Sequence, residues 1–224
     1  MLPNSLNLVF DLFFPRFNFD YSNFCIYLNQ KEIEQQKAKI IYLEGKDLQK
    51  ILPKILVCSR YQKNIQDLIK RAKINGETAI CPDFVNLILC AQKKTDFPLP
   101  DYLCFVPPDP KRHSQRGYHL PQILAKNLSK SLNLPVLDIL SKTKATASQT
   151  ELNRQNRLTN LQNVFEIKQT NFDLTKIETE IETETKTIWL IDDVTTTQTT
   201  LLNCAKTLKK TFPLLKIYGV TVAG

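Results

Sequence analysis

At 224 residues, with 42% apolar and 23% charged content, the chain has the composition of a globular, soluble protein long enough to bury a sizeable core, as one domain with an appendage or as two small ones. Thirty basic residues against 22 acidic ones give a net charge of +8 and an isoelectric point near 9.1, which favours an anionic partner: nucleic acid, nucleotide or anionic membrane surface. The six cysteines (25, 58, 81, 90, 104 and 204) form no C-x-x-C pair and have no nearby histidine, which excludes a zinc framework and a disulfide scaffold and points to reduced, buried thiols in a cytoplasmic protein.

Residues 1 to 35 are rich in aromatics, Phe10, Phe13, Phe14, Phe17, Phe19, Tyr21 and Phe24, without periodicity. Such a cluster is a small satellite core or a surface that docks on another protein. The apolar runs are broken by Asp11, Pro15 and Arg16, and no basic segment precedes them, so neither a signal peptide nor a transmembrane helix is expected. Lys39 to Glu44 reads as a strand. Ile51 to Tyr61 reads as a second β-rich run that Pro53 interrupts, and residues 1–55 are taken as an N-terminal region distinct from a domain at 56–224.

From Asn64 the apolar positions Ile65, Leu68, Ile69 and Ala72 recur at helical spacing, with Gly76 as the stop. A longer helix is expected from Ala79 to Gln92. Leu103 to Val106 is a buried strand that runs into Pro107, Pro108, Asp109 and Pro110, which fix a stiff turn. Lys111, Arg112 and Arg116 follow within six residues. Three cations beside a rigid loop at a strand end suit a pyrophosphate, and equally describe a solvated basic loop. Residues 111 to 157 hold nine lysines or arginines against two acids.

Leu120 to Leu132 reads as a helix with Ile123, Leu124 and Leu128 inward. Pro135 to Leu140 and Val164 to Ile167 are short strands, separated by a polar segment. The near-repeat IETEIETETKT is an acidic low-complexity stretch, read as an exposed hairpin or loop. Thr187 to Ile191 has the composition of a buried parallel strand. Leu201, Cys204, Ala205 and Leu208 are spaced as one face of a helix. Between them lie Asp192, Asp193 and a hydroxyl-rich turn, Thr195, Thr196, Thr197, Gln198, Thr199 and Thr200. Free amides and the helix dipole at such a junction make an anion site, to which the threonine hydroxyls could donate. The two carboxylates could accept from sugar hydroxyls or hold Mg²⁺ through oxygen. The same residues are also compatible with a capped helix preceded by a solvated turn. The terminal KIYGVTVAG is an apolar strand. Strand and helix alternate after residue 55, which implies an α/β fold with a mostly parallel sheet, helices on both faces and ligands at the carboxyl edge.

Leu190 to Leu201 resembles the ribose-phosphate signature of type I phosphoribosyltransferases, an apolar strand followed by D-D-V-x-T-T-G-x-T. Asp192, Asp193, Val194, Thr196, Thr197 and Thr200 are in register with it, and Gln198 stands where that family has glycine. The chain beyond residue 60 is similar to the ComF family, also called GntX or competence-associated amidophosphoribosyltransferase-like. Tyr61, Leu68, Ile69, Lys73 and Gly76 resemble its Y…L-I…L-K-x-x-G block. Val106, Pro107, Pro110, Lys111 or Arg112, Arg116, Gly117 and Tyr118 resemble V-P-x-x-P-x-R…R-G-F. Thr146, Gln149, Leu152, Arg157, Asn160 and Phe165 resemble T-x-x-Q-x-x-L…R-x-x-N…F.

The resemblance implies a type I phosphoribosyltransferase-like fold that binds phosphoribosyl pyrophosphate or a related sugar phosphate. Thr196 to Thr200 would take the 5′-phosphate, Asp192 and Asp193 the ribose hydroxyls, and Lys73, Arg112 and Arg116 the pyrophosphate with Mg²⁺. It also implies a part in DNA uptake during natural transformation, with single-stranded DNA and the uptake machinery as partners. Tyr118 is the one aromatic inside the basic block, so base stacking has little support there. Two alternatives stay open: an active phosphoribosyltransferase of nucleotide metabolism, and a basic single-strand-binding module without catalysis. Whether the chain is an enzyme depends partly on what Gln198 does to the loop, because glycine lets the backbone approach a phosphate. Family members commonly begin with a zinc ribbon. Here Phe17 and Asp20 stand where thiolates would be and only Cys25 remains, so no zinc is expected. His113 and His119 are read as loop histidines rather than catalysts.

Overall fold

The computed structural model describes residues 27–110, 117–143, 164–168, 179 and 183–224. The aromatic N-terminus up to residue 26, the cations Lys111, Arg112 and Arg116, and nearly all of the polar and acidic segments lie outside them. So does the block from Thr146 to Asn160.

Six strands form one sheet. They are β1 (Lys39–Tyr42), β2 (Lys54–Ser59), β3 (Tyr102–Phe105), β4 (Val136–Leu137), β7 (Thr187–Val194) and β8 (Lys216–Ala223), in the order β1-β2-β8-β7-β3-β4. From β2 to β4 all neighbours are parallel; β1 alone runs antiparallel, against β2. Two further strands, β5 (Leu140–Lys142) and β6 (Phe165–Ile167), pair antiparallel in a small sheet of their own. The expected α/β architecture with a mostly parallel sheet is therefore present. The boundary expected at residue 55 falls inside β2, and β1 belongs to the same sheet. The single strand expected from Pro135 to Leu140 is two, because Asp138 and Ile139 separate β4 from β5. Ile51 is not in a strand: it ends helix α2 (Lys46–Ile51), and Pro53 follows before β2 begins.

Alternation along the strands sorts side chains onto two cores. Leu56, Leu103, Phe105, Trp189, Ile191, Val220 and Val222 face one layer. That layer holds α1 (Gln30–Gln35), α3 (Lys63–Lys70), α4 (Cys81–Thr95) and α5 (Leu120–Leu132). Ile55, Val57, Cys104, Ile188, Leu190 and Ile217 face the other, which contains α2, the β5–β6 pair and α6 (Thr199–Thr211). Strands buried on both faces read as continuous apolar runs, the pattern by which β3, β7 and β8 were legible. Trp189 is fully buried, and its indole N–H donates to the Pro98 carbonyl at 2.8 Å. Asp83, at the start of α4, is fully buried and accepts from the amides of Tyr27 and Leu28, at 2.8 and 3.1 Å. Among the described residues no helix is long and apolar enough to cross a membrane.

Gly219 lies mid-strand on the α6 side of β8. A Cβ there would sit 3.0 Å from Ile55 Cγ1, 3.2 Å from Ile55 Cγ2 and 3.2 Å from Leu201 Cδ1. Glycine in a strand interior ordinarily costs stability, yet Ile55 is stiff at χ1 and cannot easily yield. Overpacking then outweighs the propensity gain, and Gly219→Ala is expected to destabilise by about 1 kcal/mol. Urea denaturation of the two proteins checks the sign.

Candidate functional site

The parallel ladder carries β7 farther than its apolar run suggests. Asp192 pairs with Thr221 and Val194 with Ala223, and the Thr195 amide donates to the Ala223 carbonyl at 3.0 Å. Both acidic residues are thus strand residues, and consecutive strand side chains point to opposite faces. Asp193 follows Trp189 and Ile191 toward the α4–α5 layer; Asp192 follows Ile188 and Leu190 toward α6.

Asp193 is 3% exposed, and its Oδ2 lies 2.5 Å from the Lys73 ammonium. Its other oxygen accepts from the Val194 amide at 2.9 Å. A buried carboxylate needs such a partner, since an unpaired one would cost several kcal/mol. Asp192 accepts from the Asp193 amide at 2.8 Å. Burial, and then the neighbouring Asp193 charge, push its carboxyl well above the usual range, while Lys73 opposes the shift. The hydroxyl of Thr221, its ladder neighbour, is buried with no hydrogen-bond partner among the described residues.

After Thr195 the chain leaves the sheet and turns into α6. Gln198 makes the turn at φ 59° and ψ −7°, in the left-handed region, and provides no side-chain cap. That is the conformation glycine adopts without penalty, and it costs a residue with a Cβ about 1–2 kcal/mol. The loop thus has a shape that favours glycine, with a glutamine in it. The hydroxyl of Thr199 donates to the Thr197 carbonyl at 3.2 Å and lies 3.1 Å from the Thr197 hydroxyl. The amides from Thr196 to Leu201 find no acceptor among the described residues. Unpaired donors at the start of a 13-residue helix are suited to an anion. The structure thus brings Lys73, Asp192, Asp193 and the turn 196–200 to one edge. Lys111, Arg112 and Arg116 lie outside the described residues, although Asp109 and Gly117 on either side of them are described.

Magnesium would be poorly served by the protein alone. No cluster of three or more candidate ligands occurs among the described residues, and the two carboxylates diverge. Thiol chemistry is disfavoured: burial pushes Cys81 to about 11 and Cys104 to about 12, and raises Cys58 and Cys204 as well. His119 is half-buried with Nε2 2.7 Å from the Val106 carbonyl. It donates there and anchors the start of α5.

No family model matches the chain. It is 28% identical over 171 residues to DNA utilization protein YhgH of Escherichia coli (strain K12), covering 73% of this chain and 70% of that protein. It is 29% identical over 162 residues to Competence protein F of Haemophilus influenzae, covering 70% and 67%. These relatives support the resemblance of the chain to the ComF family.

Several residues beside the edge carry no motif and are not legible in the sequence. Lys142 on β5 pairs with Asp109 at 2.9 Å, both side chains at least 84% buried. This joins the loop after β3 to the small sheet. Arg71 and Glu77 pair at 2.6 Å beside Lys73. A helix reading of residues 64–76 places Arg71 and Glu77 near its polar end, which is the only hint the sequence holds.

Because the folded state raises the Asp192 pKa, it binds the proton more tightly than the unfolded chain does. Stability falls as pH rises above the ordinary carboxyl range and stays lower at neutral pH. Asp192→Asn, which can still accept from the Asp193 amide, is expected to melt higher than wild type at pH 7, with the gap closing as pH falls toward about 4. Thermal melts of both proteins across that range check this.

Proposed function

We propose that the chain binds phosphoribosyl pyrophosphate or a related sugar phosphate at the carboxyl edge of its sheet and serves DNA uptake in natural transformation. The observation that carries the first part is the row of amides from Thr196 to Leu201, without acceptors among the described residues, at the start of α6 beside two carboxylates and Lys73. The amides and the hydroxyls of Thr196, Thr197, Thr199 and Thr200 would receive the 5′-phosphate. Asp192 and Asp193 would accept from ribose hydroxyls or touch a phosphate-borne Mg²⁺. Lys73, with Arg112 and Arg116, would neutralise the pyrophosphate. If a group transfer follows, an acceptor displaces pyrophosphate at the anomeric carbon, and these residues act by positioning and charge neutralisation.

The second part is supported by the names of the relatives, which concern DNA utilization and competence, and by the basic segment 111–157. Single-stranded DNA is the partner that segment suits, with Lys111, Arg112 and Arg116 on the phosphates.

Calorimetry and thermal melting with phosphoribosyl pyrophosphate, with and without Mg²⁺, test the ligand. At about tenfold excess over Kd the protein should gain about 1.4 kcal/mol and melt about 3–6 °C higher. Neither heat nor a shift at millimolar ligand would reject it. In a second arm, affinity for a single-stranded oligonucleotide should fall steeply between low and physiological salt. It should drop further when Lys111, Arg112 and Arg116 are neutralised; affinity that survives both changes rules out that patch.

A further inference from the structure

Helix α3 does not continue as an α-helix to its glycine stop. Residues Arg71–Asn75 form a π-helical turn, closed by the Gly76 amide donating to the Arg71 carbonyl. Such turns are rare and gather at functional sites, because the wider ring sacrifices packing and needs outside support. Here the effect on direction is plain. The buried stripe of α3 is Ile65, Leu68, Ile69 and then Ala72. At α-helical spacing Lys73 would stand about a quarter-turn to the side of that stripe. A π turn rotates less per residue, so it carries Lys73 back toward the sheet, where its ammonium reaches Asp193.

The turn is held from three sides. Arg71 Nε donates to both Glu77 carboxylate oxygens at 3.1 and 3.0 Å, and its Nη2 to one of them at 2.6 Å. This contact holds the Glu77 carboxyl below its usual range. The same guanidinium stacks over the Tyr27 ring, 4.9 Å from its centroid. Gly76 sits at φ 74°, and a Cβ on it would be 3.1 Å from the Tyr118 ring, which arrives from the basic loop before α5. The tyrosine hydroxyl is buried with no hydrogen-bond partner among the described residues, and the ring carbons make the closest approach to that Cβ.

We propose that the π-helical turn, clamped by Arg71–Glu77 and by Gly76 against Tyr118, aims Lys73 at the carboxyl edge, which makes Arg71 and Glu77 positioning residues for pyrophosphate. The inference rests on the sugar-phosphate reading above and names the half of the ligand that depends on this turn. Ribose 5-phosphate would engage the amides after Thr195 and be indifferent to it.

The test titrates inorganic pyrophosphate and, separately, ribose 5-phosphate into wild type, Lys73→Met, Glu77→Gln, Gly76→Ala and the double variant Lys73→Met/Glu77→Gln. Glu77→Gln and Gly76→Ala should weaken pyrophosphate about tenfold, as Lys73→Met does, with ribose 5-phosphate changed by less than about twofold. The double variant should lose no more than Lys73→Met alone, since both changes act through one ammonium. Should Gly76→Ala fail to fold, Glu77→Gln carries the comparison. Unchanged pyrophosphate affinity in Glu77→Gln, or equal loss of both ligands, overturns the positioning role. Wild type that takes ribose 5-phosphate but not pyrophosphate overturns this inference alone. Wild type that takes neither sinks the sugar-phosphate reading with it.

Discussion

The parallel ladder between β7 and β8 governs this molecule. It begins at Thr187 and Lys216 and is paired through Val194 and Ala223, with one more bond from Thr195. Strands this deep are buried on both faces and have to be apolar, yet two aspartates stand immediately before Val194, the last residue of β7. They are tolerated because the carboxyl edge is where the apolar layers end. One step inward, an ionised side chain would have no partner to offset its desolvation. The ladder thus holds polar groups extended to the limit of the core and then releases the chain abruptly into α6.

The release explains the electrostatic asymmetry of the edge. Asp193 turns toward Lys73 and is neutralised; Asp192 turns toward α6, where the thiol of Cys204 and the orphaned hydroxyl of Thr221 give its charge little help. Beyond it a row of amides lacks acceptors among the described residues and Gln198 holds a left-handed turn. A carboxyl that resists ionisation, donors without acceptors and a strained residue stand within a few positions of one another. Breaks of local rules gather at functional sites, which is the ground on which the sugar-phosphate proposal stands.

Much of this was open to reading. The helix from Leu120 to Leu132 has the limits its periodicity indicates, and Gly76 ends its segment in the left-handed conformation that makes glycine a stop. Leu201, Cys204, Ala205 and Leu208 are the buried face of α6. Cys58, Cys81, Cys104 and Cys204 are buried and free, with Cys90 half-buried. What escaped has a common cause. A π turn leaves no compositional mark, because a widened hydrogen-bond ring uses the same amino acids as an α-helix. The Asp109–Lys142 pair joins residues far apart in the chain, so no local window contains it. Nor does strand composition set the order in which strands assemble, which is why β1 looked like part of an appendage.

The sequence by itself determined the alternation of strand and helix, the buried faces, the stops and the acidic-to-hydroxyl junction, since each follows from spacing over a few residues and from the backbone preferences of glycine and proline. Tertiary structure alone decided that the two aspartates part company across the sheet, that Lys73 reaches one of them and that the amides after Thr195 find no acceptor among the described residues. Those outcomes depend on which strands lie side by side and how far their ladder extends, and that is settled by packing between segments more than a hundred residues apart, as Lys73 and Asp193 are.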